Sequence, residues 1–235
     1  MNTELRTPLN GVMAVAELLL RQPLNDAALA HVQTIIDSSE TLLDTLQDAL
    51  DLARAEAGEL ELAPAPTPLR AVMDQVQTLW TPRATQDGVT LMVGYEGDTE
   101  LAGVLDGPRL TQVFNTLIGH ALKFARNGMV EASLKAVVIG DQVRLEARVR
   151  DDGPGIDPTR LDQLFDHVAG PDGGGLGLSI CRHVVEQMNG RIWAENNVGR
   201  GATFAFDLSA PRAVIEHDEP SNVASLDDLD LQARP

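Results

Sequence analysis

Apolar side chains near the N-terminus return at helical spacing. Leu5, Leu9, Val12, Ala16 and Leu19 sit three or four residues apart; after Gln22-Pro23-Leu24-Asn25 the pattern resumes at Ala28, Val32, Ile35, Leu42, Leu46, Ala49 and Ala53, with Ser39 interrupting it. Alternating steps of this kind form a heptad seam, and Asn25 or Asp26 is placed to cap the second helix. The pattern predicts a helical hairpin over residues 1–58. A hairpin has only two apolar faces to hide, so a seam this regular predicts completion by a second copy into a four-helix bundle dimer. The other solution is an intramolecular stalk docked on the remainder of the chain.

Beyond Gly58 the period shortens. Glu59-Leu60-Glu61-Leu62 alternates as a short strand, and Ala63-Pro64-Ala65-Pro66-Thr67-Pro68 then denies both helix and sheet, which puts a linker at 59–66. From 67 to 210 the pattern predicts a second domain. It comprises a helix over 69–84, a strand over 89–95, a helix from Asp106 to about Arg126, strands over 129–138 and 142–149 joined by a Gly140-Asp141 turn, a helix to about Met188, and strands over 190–195 and 202–208. Strands covered on one side by helices make an α/β sandwich, so the fold class is α+β: an antiparallel helical hairpin followed by a sandwich. Residues 211–235 are acidic, aromatic-poor and aperiodic, as in a disordered tail or linker.

Composition narrows the functional classes. Acids outnumber bases 35 to 18, giving a net charge of −17 in 235 residues, which excludes a nucleic-acid backbone as the partner. Apolar residues make up 43% of the chain, yet no run is long enough to cross a bilayer and no leader precedes the first helix, so the expected location is cytoplasmic. The single cysteine, Cys181, falls in an apolar helix and reads as packing.

Chemistry concentrates at two glycine-rich stretches. Asp151-Asp152-Gly153-Pro154-Gly155-Ile156 follows an alternating strand, so Asp151 stands where that strand leaves its sheet, and the glycines let a flat ligand approach the backbone. Gly173-Gly174-Gly175-Leu176-Gly177-Leu178 runs into a helix start, where free N–H groups suit phosphates. In this order the two resemble the glycine boxes of the ATP-binding (Bergerat-type) domain shared by histidine kinases, gyrase and related chaperones. The resemblance implies that Asp151 hydrogen-bonds the adenine amino group, that Gly153 and Gly155 line the base pocket, and that Gly173, Gly175, Leu176 and Gly177 form the lid over the phosphates. Gly199-Arg200-Gly201-Ala202-Thr203-Phe204 is similar to the last glycine box, in which Thr203 supports the base through water, and Leu164-Phe165-Asp166 to the phenylalanine box. A hairpin dimer ahead of such a domain is the layout of a sensor or hybrid histidine kinase core, and Glu4-Leu5-Arg6-Thr7-Pro8-Leu9-Asn10-Gly11 resembles that family's phosphoacceptor box. Implied with it are ATP and Mg²⁺ as cofactors and a response-regulator receiver domain as partner.

The chain departs from the family pattern in three places. Thr3 stands where the acceptor histidine belongs, and a threonine hydroxyl is a far weaker nucleophile than an imidazole without a strong base beside it. In Asn115-Thr116-Leu117-Ile118-Gly119-His120-Ala121-Leu122-Lys123-Phe124 the two asparagines of the family's box correspond to Thr116 and His120. The residue expected to hold Mg²⁺ is therefore an imidazole, a poor ligand for a hard cation, whereas Lys123 can still meet a phosphate. The lid before the glycines is short and carries no Lys or Arg. Glu4 and Thr7 are intact; in the family this pair positions a water for removing phosphate from the receiver's aspartate, and the two lie one helical turn apart. Without the acceptor histidine, the alternative is a degenerate kinase acting as a receiver-docking scaffold or phosphatase.

Overall fold

The computed structural model describes residues 2–125, 127–166 and 175–214. Helix α1 (Asn2–Leu20) and helix α2 (Asp26–Glu56) form the expected hairpin. Asn25 caps α2, its Oδ1 accepting the Ala28 N–H at 2.8 Å. The two helices meet through Ala16, Val32 and Ile36, with Leu24 packed against them. Ser39 is buried in the same seam, and its hydroxyl donates back to Ile35 O at 2.7 Å, so the polar interruption is satisfied. The other flank of the seam is open: Ile35 is 44% and Leu42 57% exposed, as are Val12, Val15 and Leu18 of α1 in similar measure.

The second domain is a seven-stranded sheet in the order β1-β3-β7-β5-β4-β2, with β6 also paired to β7. The strands are β1 (Ala65–Pro68), β2 (Thr90–Glu96), β3 (Ala102–Leu105), β4 (Met129–Ile139), β5 (Gln142–Asp151), β6 (Arg191–Asn196) and β7 (Ala202–Ala213). Every pairing is antiparallel except β2 with β4. Helices α3 (Leu69–Gln86), α4 (Gly107–Phe124) and α5 (Gly175–Gln187) supply the helical layer, and the core between layers is built on Phe114, Phe204, Phe206, Leu117, Leu145 and Leu178. Hydrophobic helix faces and the alternating inner face of the sheet bury one another, which is the two-layer solution the pattern called for.

Three local expectations need correction. Glu59–Leu62 carries no regular structure; Leu60 is instead buried in the domain core, with Leu62 packed against it. The proline-rich stretch is where the strand forms: Ala65–Pro68 pairs with Ala102–Leu105. β1 is an edge strand, and prolines two residues apart share one side of it, so both missing N–H groups can face away from the partner. β3, its partner, was not foreseen. At the C-terminal end β7 runs on through Ala213 and takes in the first three residues of the expected tail; residues 215–235 lie outside the described residues.

Candidate functional site

Strand periodicity puts Asp151 in place. Along β5 the inward positions are Val143, Leu145, Ala147, Val149 and then Asp151, so the last inward residue is a carboxylate at the end of an otherwise apolar face. It is 5% exposed. Oδ1 accepts the backbone N–H groups of Gly153 at 2.8 Å and Ala202 at 3.4 Å, and Oδ2 accepts no hydrogen bond among the described residues. Burial pushes its pKa above the ordinary 3.8; the two N–H donors oppose this, and the neighbouring Asp152 charge adds to it. One carboxylate oxygen is therefore fixed by the backbone while the other carries no hydrogen bond from the described residues.

The surroundings are held close. Gly201 (φ +86) cannot carry a side chain, because a Cβ there would overlap Asp151 O. Gly155 (φ +83) faces Asn196, whose amide accepts from Ile156 N and donates to Ile156 O, both at 2.7 Å. Asn197 donates to Asp151 O at 3.0 Å and accepts from the Thr203 hydroxyl at 2.6 Å. Thr203 thus acts on the backbone of Asp151 through Asn197. The asparagine pair was missed by the sequence reading, although Asn-Asn ahead of Val-Gly-Arg-Gly is a turn signal that could have indicated it. Gly153 abuts the end of α4, since a Cβ there would stand 3.1 Å from Phe124 O.

That contact links the pocket to a second group of residues. His120 of α4 lies between the Phe124 ring at 4.9 Å and the Phe204 ring at 5.1 Å. Burial, with the Lys123 charge added, lowers its pKa to about 4, so the imidazole is neutral at physiological pH. Its Nδ1 is buried with no hydrogen-bond partner among the described residues. Thr116, His120, Lys123 and Gly177 line one cleft of about 1300 Å³ that also reaches α2 and α3. Leu176 is half-buried against the core, and Gly175 opens α5; Gly173 lies outside the described residues. Just before that gap, Phe165 packs on Phe204 at 6.4 Å and Asp166 is bound by Arg182 of α5 at 2.9 Å.

The far wall of the cleft is the hairpin. Asp51, 1% exposed in its side chain, pairs with Arg109 at 2.7 Å and accepts from Gln112 at 3.2 Å. Burial pushes the Asp51 carboxyl up, but the hydrogen bonds from Arg109, Gln47 and Gln112 outweigh it and hold the group below the usual 3.8. One turn back on α2, Gln47 accepts from Arg6 of α1 at 2.5 Å. The Arg6–Gln47–Asp51–Arg109 succession brings the first turns of α1 to the level of the cleft. Thr7 is exposed there; Thr3 and Glu4 lie on the same helix, and their side chains are outside the described residues. Among the described residues, no helix is long and apolar enough to cross a membrane, and no three or more His, Cys, Asp or Glu side chains converge as a metal site.

Comparison with known proteins agrees with this layout. Residues 1–58 match the family described as His Kinase A (phospho-acceptor) domain, and residues 105–212 match that described as Histidine kinase-, DNA gyrase B-, and HSP90-like ATPase. The signal transduction histidine-protein kinase BarA of Escherichia coli (strain K12) is 36% identical over 228 residues, covering 92% of this chain and 25% of that protein. The virulence sensor protein BvgS of Bordetella bronchiseptica is 35% identical over 222 residues, covering 88% of this chain and 18% of that one. Full-length ShkA, solved in complex with AMPPNP, superposes with a TM-score of 0.68 at 32% identity, over 92% of this chain and 45% of that one. The chain spans about a quarter or less of the length of these curated relatives.

Proposed function

Because this chain belongs to the histidine kinase family through both its phospho-acceptor and its ATPase domain, we propose that it serves as the cytoplasmic core of a two-component sensor or hybrid kinase. In this reading it binds ATP, dimerises through α1 and α2, and signals to a response-regulator receiver domain. The observation that carries the reading is Asp151: a buried carboxylate with one oxygen held by two backbone N–H groups and the other left to accept from adenine. The open flank of the hairpin seam, with Ile35 and Leu42 exposed, supports the homodimer. ATP is the nucleotide found with this type of domain, and a solved relative holds its analogue AMPPNP.

In this reading Thr3 is not an autophosphorylation site. Phosphoryl transfer to a side chain needs a nucleophile that is basic at neutral pH, and a threonine hydroxyl is not one. Glu4 and Thr7 support a second reading, in which the chain docks a receiver domain and removes phosphate from it, or sequesters it. Labelling with γ-³²P-ATP separates the two: Thr3→His combined with His120→Asn, which restores an amide oxygen for the metal, should become labelled while the present chain stays blank. Equal labelling of both would place the acceptor elsewhere and refute the assignment of position 3.

A further inference from the structure

The nucleotide reading leaves open what balances the charge of the polyphosphate. A magnesium ion needs hard oxygen ligands at about 2.0–2.1 Å in octahedral geometry. On the face of α4 that meets the cleft, the candidates are few and mostly engaged. His120 offers only an imidazole, clamped between Phe124 and Phe204. Asn115 is the one asparagine of α4, and its amide oxygen is taken by Trp80 Nε1 at 2.9 Å. Gln112 spends its oxygen on Arg109 at 2.7 Å and its amide nitrogen on Asp51. The carboxylates lining the cleft, Asp37, Glu40 and Asp51, all come from α2, and Asp51 is committed to Arg109. Thr111 and Thr116 add hydroxyls, and that of Thr111 donates to Gly107 O at 3.0 Å. Lys123 lines the same cleft, so a divalent cation placed there would meet an ammonium group. The described residues that line the cleft do not fit Mg²⁺.

We propose that this chain binds its nucleotide without a divalent cation, the polyphosphate being met by Lys123 and by an N–H of the His120 imidazole. The inference rests on the nucleotide reading above and adds to it the form of the ligand: free ADP or ATP in place of the magnesium complex. A neutral imidazole always carries one N–H to donate, and His120 lines the cleft together with Lys123. Lys123, exposed above the Phe124 ring at 5.6 Å, supplies the countercharge that a metal would otherwise bring.

Calorimetry of the whole chain with ADP and with ATP, in excess Mg²⁺ and again in EDTA, tests this. The expected result is tighter apparent binding of ATP in EDTA than in excess Mg²⁺, by about tenfold or more, because Mg²⁺ competes with the protein for free nucleotide, with His120→Asn binding at least as well in Mg²⁺ as in EDTA. Equal or weaker binding by the unaltered chain in EDTA would overturn the inference while leaving the nucleotide site standing. Absence of binding in both conditions would overturn the site and the inference together. Manganese paramagnetic resonance gives a readout independent of the variant. Adding the chain to Mn²⁺ and ATP should release Mn²⁺ as the protein captures free nucleotide, and additional protein-dependent immobilisation of Mn²⁺ would refute the proposal.

Discussion

Replacing Asp51 by alanine should loosen the helical hairpin from the ATPase domain. Removing one member of a buried ion pair costs about 3–5 kcal/mol, chiefly because the survivor stays buried and unpaired. Here the survivor is less isolated: Arg109 is 21% exposed and keeps the Gln112 oxygen at 2.7 Å. Water and Gln112 together bring the expected loss to about 2 kcal/mol, or about thirtyfold in the docking equilibrium. Urea unfolding, followed by the fluorescence of Trp80 and Trp193 and by far-ultraviolet circular dichroism, measures it in a cycle of Asp51→Ala, Arg109→Ala and the double variant. The pH dependence has a definite sign. The folded Asp51 carboxyl lies below its ordinary 3.8, so its contribution is complete above that value and is lost as the pH falls through the lower, folded value. The gap between the unaltered chain and Asp51→Ala should stay constant from neutral pH down to about 5 and close only in stronger acid. A coupling below about 0.5 kcal/mol, the range of an exposed surface pair, would refute the assignment of Asp51 as the tie between the domains.

Two further outcomes rest on the geometry. Gly201→Ala forces a left-handed residue and a clash with Asp151 O, so the melting temperature should drop by the equivalent of at least about 1–3 kcal/mol; an unchanged melting temperature would contradict the close approach. Ile35→Glu with Leu42→Glu puts charge on the open flank of the seam, and sedimentation should then show a monomer where the unaltered chain forms a dimer. An unchanged mass would move the dimer contact elsewhere.

What could be read in advance divides along physical lines. The hairpin was legible because helical period and a cap at Asn25 act locally. Asp151 was legible because a strand's period of two carries an apolar face to its end, and the next inward residue was an acid. β1 and β3 were not: two prolines argue against a strand until its edge position is known, and Ala102–Leu105 is too short to show alternation. Asp51 and Arg109 stand 58 residues apart, and nothing local to either marks it as a partner of the other. Ile35 and Leu42 were counted in one seam with Val32, yet the single chain covers only Val32, because the seam is wider than one hairpin can bury. His120 was recognised as a replaced asparagine, but the rings of Phe124 and Phe204 that clamp it come together only in the fold.

Recognition of adenine by the free oxygen of Asp151 is tested most directly by fluorescent nucleotide titration. The unaltered chain should bind the ATP analogue saturably and prefer it to the GTP analogue, whose ring carbonyl would face the carboxylate. Asp151→Asn should lose about 1.5–3 kcal/mol, roughly ten- to hundredfold, on ATP alone. Equal affinity for ATP and GTP, or an Asp151→Asn protein that binds ATP as before, would contradict it.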